Sequence, residues 1–102
     1  MVSLIEEKRQ GLAELCKKFH VTRLDVFGSA ATGQMTEQSD IDFLVEFDET
    51  VNAYRFDNYF ELLRELESLF GCHVDLVEPE GLRNPYFIRR VNETRKQVYA
   101  NS

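Results

Sequence analysis

The sequence predicts an α/β (α+β) fold: a small mixed β-sheet with helices packed against it, in the order α-β-β-α-β-α. Two observations carry this. Two long stretches repeat apolar residues at helical spacing, and three short runs alternate apolar with polar residues between turn-forming segments. At 102 residues and 11.9 kDa there is room for one core, so residues 1–102 are expected to be a single domain.

Residues 4–19 form the first predicted helix. Ile5, Leu12, Leu15, Cys16 and Phe19 share one face, and Ser3 with Glu6 three residues on has the pattern of an N-terminal cap. Residues 21–27, VTRLDVF, form a strand that ends at Gly28. Residues 28–39 are small and polar, which is expected of a turn or a loop with room for one helical turn. In the second strand, residues 40–47, Ile41, Phe43, Val45 and Phe47 alternate with Asp40, Asp42, Leu44 and Glu46.

Residues 53–70 form the second long helix, with Phe56, Tyr59, Phe60, Leu63, Leu66 and Phe70 as its apolar stripe. Gly71 stands where a left-handed cap ends a helix. The third strand is residues 73–78, with Val74 and Leu76 on one face and Asp75 and Val77 on the other. Asn84 followed by Pro85 is a helix start, cap then first turn, and this last helix is expected to run to about Tyr99.

Composition narrows the function classes. The apolar fraction of 43% is that of a globular chain. No apolar run approaches the roughly 18 residues a membrane span needs, and the N-terminus has no signal-peptide core. Cys16 and Cys72 are too few for a disulfide framework. These features lead to the expectation of a cytoplasmic protein with no membrane association. The net charge of −6 divides as +2 over residues 1–23, −12 over residues 24–82 and +4 over residues 83–102. Nucleic-acid-binding domains are usually basic, so direct nucleic-acid binding is not expected.

The acidic centre has a pattern. Side chains at i and i+2 of a strand share a face, so Asp40 and Asp42 project together. Two such carboxylates repel unless a cation lies between them. Mg²⁺ suits the pair, because it takes one or two carboxylates together with substrate phosphates. Asp75 completes a triad if the second and third strands are neighbours. Two metal ions held this way would stabilise the attacking and leaving oxygens of a phosphoryl displacement. Gly28 and Ser29 would cradle phosphate, glycine by allowing close backbone approach and serine by its hydroxyl and amide.

The run G-S-x-x-x-G-x(5)-S-D-I-D, from Gly28 to Asp42, followed after a helix by V-D-L-V, resembles the minimal nucleotidyltransferases of the DNA polymerase β superfamily. The segment from Val77-Glu78-Pro79 through Asn84-Pro85-Tyr86-Phe87 is similar to the stand-alone MNT-domain antitoxins. The resemblance implies the polymerase-β-like nucleotidyltransferase core. It also implies transfer of a nucleoside monophosphate from a nucleoside triphosphate to a hydroxyl. By position, Asp40, Asp42 and Asp75 match the metal-binding and catalytic carboxylates. Gly28, Ser29 and Ser39 match the nucleotide-binding residues. The implied cofactor is Mg²⁺, as two ions, and the implied substrate is ATP. The implied partner is a HEPN-domain ribonuclease toxin, adenylylated on a tyrosine and held in a hetero-oligomer.

One feature departs from that pattern. Many relatives read like G-S-R-A-R-G, whereas residues 28–33 read Gly-Ser-Ala-Ala-Thr-Gly, without a cation. Missing cations weaken the hold on a triphosphate, where positive charge counts most. This supports an alternative reading, an antitoxin that neutralises its partner by contact. The basic residues Arg83, Arg89, Arg90, Arg95 and Lys96 offer either replacement cations or a partner surface. Transfer to a small molecule fits poorly, since such enzymes usually carry a further acceptor-binding domain.

Overall fold

The computed structural model describes residues 2–28, 31, 40–48 and 55–100. Among these, helices α1 (Val2–Glu7) and α2 (Arg9–Lys18) lead into strand β1 (Val21–Phe27). Strand β2 (Ile41–Phe47), helix α3 (Arg55–Phe70) and strand β3 (Val74–Val77) follow. A single 3₁₀ turn at Pro79–Gly81 precedes helix α4 (Pro85–Thr94) and strand β4 (Lys96–Ala100). The four strands form one mixed sheet in the order β3-β2-β1-β4. β1 pairs antiparallel with both β2 and β4, and β2 pairs parallel with β3.

The sheet is apolar on both faces. On one, Leu24, Val26, Ile41, Phe43, Val45, Val74 and Leu76 pack with Leu12 and Cys16 of α2 and with Leu62, Leu66 and Phe70 of α3. On the other, Phe27 and Leu44 pack against Val91 of α4. Alternation along β2 explains this division. Ile41, Phe43 and Val45 point toward α2 and α3, which leaves Asp42 and Leu44 on the α4 side. Two of the three caps expected from sequence are present. Gly71 has φ 68°, and the Asn84 side chain accepts a hydrogen bond from the Tyr86 N–H at 2.9 Å. Both cysteines are free, and burial pushes the Cys16 thiol up to about 12. Among the described residues no helix is long and apolar enough to cross a membrane.

Three expectations from sequence are corrected. The first helix is not continuous over residues 4–19. It breaks at Lys8, where ψ is 8°, and the ion pair between Arg9 and Glu6 at 2.7 Å spans the break. Ser3 lies inside α1 rather than capping it. The largest correction concerns the C-terminal segment, expected as helix to about Tyr99. α4 ends at Thr94, Arg95 is extended (φ −61°, ψ 137°), and the next five residues form β4. Pairing with β1 satisfies backbone groups that would otherwise be left at the sheet edge, and it turns Val98 into the core. It also aims Arg95 at Asp25, the fully buried carboxylate of β1.

Along α3 the buried residues are Leu62, Leu66 and Phe70, with Tyr59 and Leu63 partly buried. Phe60, expected in the stripe, is 56% exposed. The start of the predicted second helix, residues 53 and 54, lies outside the described residues.

Candidate active site

The site forms where the ends of three strands meet under α4. Parallel pairing sets Asp42 of β2 directly beside Asp75 of β3, and antiparallel pairing sets Asp42 beside Phe27, the last residue of β1. The hydrogen bond from the Ile41 N–H to the His73 carbonyl at 3.1 Å ties the starts of β2 and β3 together. Tyr59 of α3 secures β3 from the opposite face, its hydroxyl donating to the Leu76 carbonyl. Burial, then the charges of Glu78 and Asp75, raise the pKa of that phenol.

Gly28 follows β1 with φ 71°, a left-handed conformation that favours glycine. Space demands glycine as well. A Cβ at this position would lie 2.7 Å from Asp42 Oδ2 and 3.8 Å from Arg90 Nη2. The Asp42 carboxylate therefore lies against bare backbone, and a methyl group there would displace it. The turn continues through the Ala31 N–H, which donates to the Gly28 carbonyl at 3.1 Å. The Gly28 N–H donates to Thr94 Oγ1 at 2.9 Å, and that hydroxyl donates to the Arg90 carbonyl at 2.7 Å. One hydroxyl thus links the turn to the last turns of α4.

Asp42 is the perturbed group. Burial pushes its carboxyl up to about 6, and the charge of Asp75 and a hydrogen bond with it push the same way. Arg90 opposes the shift, and Asp40 adds a smaller upward push. Asp40 is exposed, just before β2. The structure brings Asp42 and Asp75 together beside Gly28, with Asp40 contributing charge from the rim. Among the described residues, no group of three His, Cys, Asp or Glu side chains converges as metal ligands. The donor chemistry nonetheless fits a hard divalent cation. The Asp75 carboxylate disfavours the charge on Asp42, and a cation between them relieves that repulsion. Ser29 and Ser39, expected as nucleotide-binding residues, lie outside the described residues.

Thr94 and Tyr59 carry no site signal in the sequence, whereas Arg90 is one of five C-terminal basic residues that the sequence offers as replacement cations or a partner surface. What the sequence leaves open is which of the five reaches the site; Arg90 is one residue from Val91 on a helix whose start, Asn84-Pro85, is legible.

Comparison with known proteins shows the family to which the chain belongs. The family model described as "nucleotidyltransferase domain" matches residues 8–98. The protein adenylyltransferase MntA of Thermococcus cleftensis is 41% identical over 71 residues, covering 70% of this chain and 69% of that protein. A Methanocaldococcus jannaschii protein, provisionally named as a protein adenylyltransferase, is 43% identical over 76 residues, covering 74% and 75%.

Among solved structures, one provisionally described as a minimal nucleotidyltransferase superposes with a TM-score of 0.76 at 32% identity, covering 93% of each chain. A complex of tri-AMPylated Shewanella oneidensis HEPN toxin with MNT antitoxin gives a TM-score of 0.64 at 20% identity. It covers 95% of this chain and 73% of that one, a likeness of fold. The match over residues 8–98 and the relatives above 40% identity establish that the chain belongs to the nucleotidyltransferase domain family and is an enzyme of that class.

Proposed function

We propose that this nucleotidyltransferase is a protein adenylyltransferase that moves AMP from ATP to a tyrosine hydroxyl of a HEPN-type toxin, acting as its antitoxin. The observation that carries the reading is the register pairing of Asp42 with Asp75 beside the glycine turn. The relatives named as protein adenylyltransferases and the HEPN–MNT complex of similar fold support it.

In this reading Asp42 and Asp75, with Asp40 at the rim, are the residues that would hold Mg²⁺. The ion would supply neutralisation of the phosphate charge that builds up during transfer. The Gly28 backbone would face the phosphates, and the absence of a side chain there leaves the Asp42 carboxylate undisplaced. Asp75 accepts the proton of the acceptor hydroxyl. The hydroxyl oxygen forms a bond to the α-phosphorus, the bond from that phosphorus to the bridging oxygen breaks, and pyrophosphate leaves.

The test incubates the purified protein with Mg²⁺, ATP labelled at the α-phosphate and host lysate, with Asp42→Asn alongside. The expected result is a labelled protein band that is lost with the variant. Transfer by Asp42→Asn at the wild-type rate would overturn the assignment. The alternative, neutralisation by contact, predicts that an Asp40, Asp42 and Asp75 triple variant still inhibits the partner without labelling it. The cation-free run from Gly28 to Gly33 is the observation that favours it.

A further inference from the structure

The turn at Gly28 carries no positive charge of its own, and two carboxylates lie at its base. A polyphosphate entering this site adds negative charge to negative charge. Part of the compensation must come from cationic side chains outside the turn. The structure separates three of the C-terminal cations by what they reach. Arg95 is committed to Asp25, with Nη2 2.6 Å and Nε 2.7 Å from Oδ2. Arg89 points along the outer surface of α4, 76% exposed and 3.7 Å from Glu93. Arg90 alone of these three reaches the site, with Nη2 3.8 Å from the vacant Cβ position of Gly28.

Its mounting is specific. The neighbouring Val91 is buried against Phe27 and Leu44, which fixes the rotation of α4 on the sheet. The Arg90 carbonyl is tied through Thr94 Oγ1 to the Gly28 N–H. The backbone carrying the guanidinium and the backbone of the turn are therefore linked by one hydroxyl. Arg90 is also exposed, so its guanidinium is open to a ligand.

We propose that Arg90 binds the polyphosphate of the incoming nucleotide, supplying from α4 the positive charge that the Gly28 turn lacks. A planar guanidinium suits this role, because its paired N–H groups match two phosphate oxygens at once. Its charge already acts on Asp42, opposing the rise in that carboxyl's pKa. The inference rests on reading the site as a nucleotide site.

The test measures binding by calorimetry with Mg²⁺ present. The ligands are a non-hydrolysable ATP analogue, inorganic tripolyphosphate and AMP. The proteins are wild type, Arg90→Gln, Arg90→Lys and, as control, Arg89→Gln. Arg90→Gln is expected to weaken the ATP analogue and tripolyphosphate by about tenfold, near 1.4 kcal/mol, and to change AMP binding little. Arg90→Lys should recover part of the loss, and Arg89→Gln should match wild type. Equal affinity of wild type and Arg90→Gln for both polyphosphates would overturn the assignment. So would an equal loss for AMP, which would mean that the side chain shapes the pocket. A wild type that binds neither ATP analogue nor tripolyphosphate would instead overturn the reading of the site itself.

Discussion

Asp42 keeps its proton to about pH 6 because burial and the Asp75 carboxylate both disfavour its charge. In the unfolded chain the same carboxyl titrates near its ordinary value of 3.8. Between these values the folded state binds more protons than the unfolded state, so stability falls as pH rises from about 4 to about 6 and then levels off. The site is half open to water, which reduces the effect to on the order of 1 kcal/mol. Asp42→Asn removes the titration. In the presence of a chelator, urea unfolding of wild type should lose about this amount between pH 4 and pH 7 relative to the variant. Parallel pH profiles for the two proteins would contradict the account. A bound divalent cation reverses the sign, because the charge that opposes folding alone favours binding the ion.

At the scale of elements, the junction of α4 and β4 is the least legible part of the chain. Val91 and Val98 are seven residues apart, which fits two helical turns, and no glycine or proline marks the end at Thr94. What ends the helix is distant in sequence: the open edge of β1 and the Asp25 carboxylate behind it. That carboxylate is fully buried and held from both sides. Arg23 Nε lies 3.1 Å from Oδ1, and Arg95 donates twice to Oδ2. The two arginines differ in exposure, 44% for Arg23 and 28% for Arg95. Arg95→Met leaves one oxygen of a buried charge without its partner and should cost about 3 kcal/mol in urea unfolding. Arg23→Met should cost about 1 kcal/mol, since water can replace a more exposed guanidinium. The reverse ranking would show that the carboxylate is held chiefly through β1 itself. By contrast, β2 and β3 were legible because alternation over a few residues has one reading. The caps at Gly71 and Asn84 were legible because each rests on local chemistry.

At the scale of the molecule, one sheet carries both cores, and its central strand β1 depends on β4 for one edge. A chain ending at Thr94 would lose Arg95, the buried Val98 and every β4 hydrogen bond together. The summed loss should exceed about 5 kcal/mol, comparable with the whole stability of a small domain. Such a truncation should show no cooperative thermal transition by near-UV circular dichroism, and a native-like transition would refute this. The same global arrangement explains what could be read of the site. Asp40, Asp42, Asp75 and Gly28 were visible because they lie on or beside strands whose faces follow from alternation. Which arginine joins them depends on how α4 rotates over the sheet, and that is set by Val91 meeting Phe27 and Leu44. The Thr94 link has a further consequence, in time rather than in space. The Gly28 turn is closed by a residue 66 positions later, and Asp25 is paired across 70. Contacts of such long sequence separation pay their loop-closure entropy late and slow the folding of a chain. The candidate site is thus completed only when α4 docks, so a nascent or partly refolded chain carries the signature residues before that site is assembled.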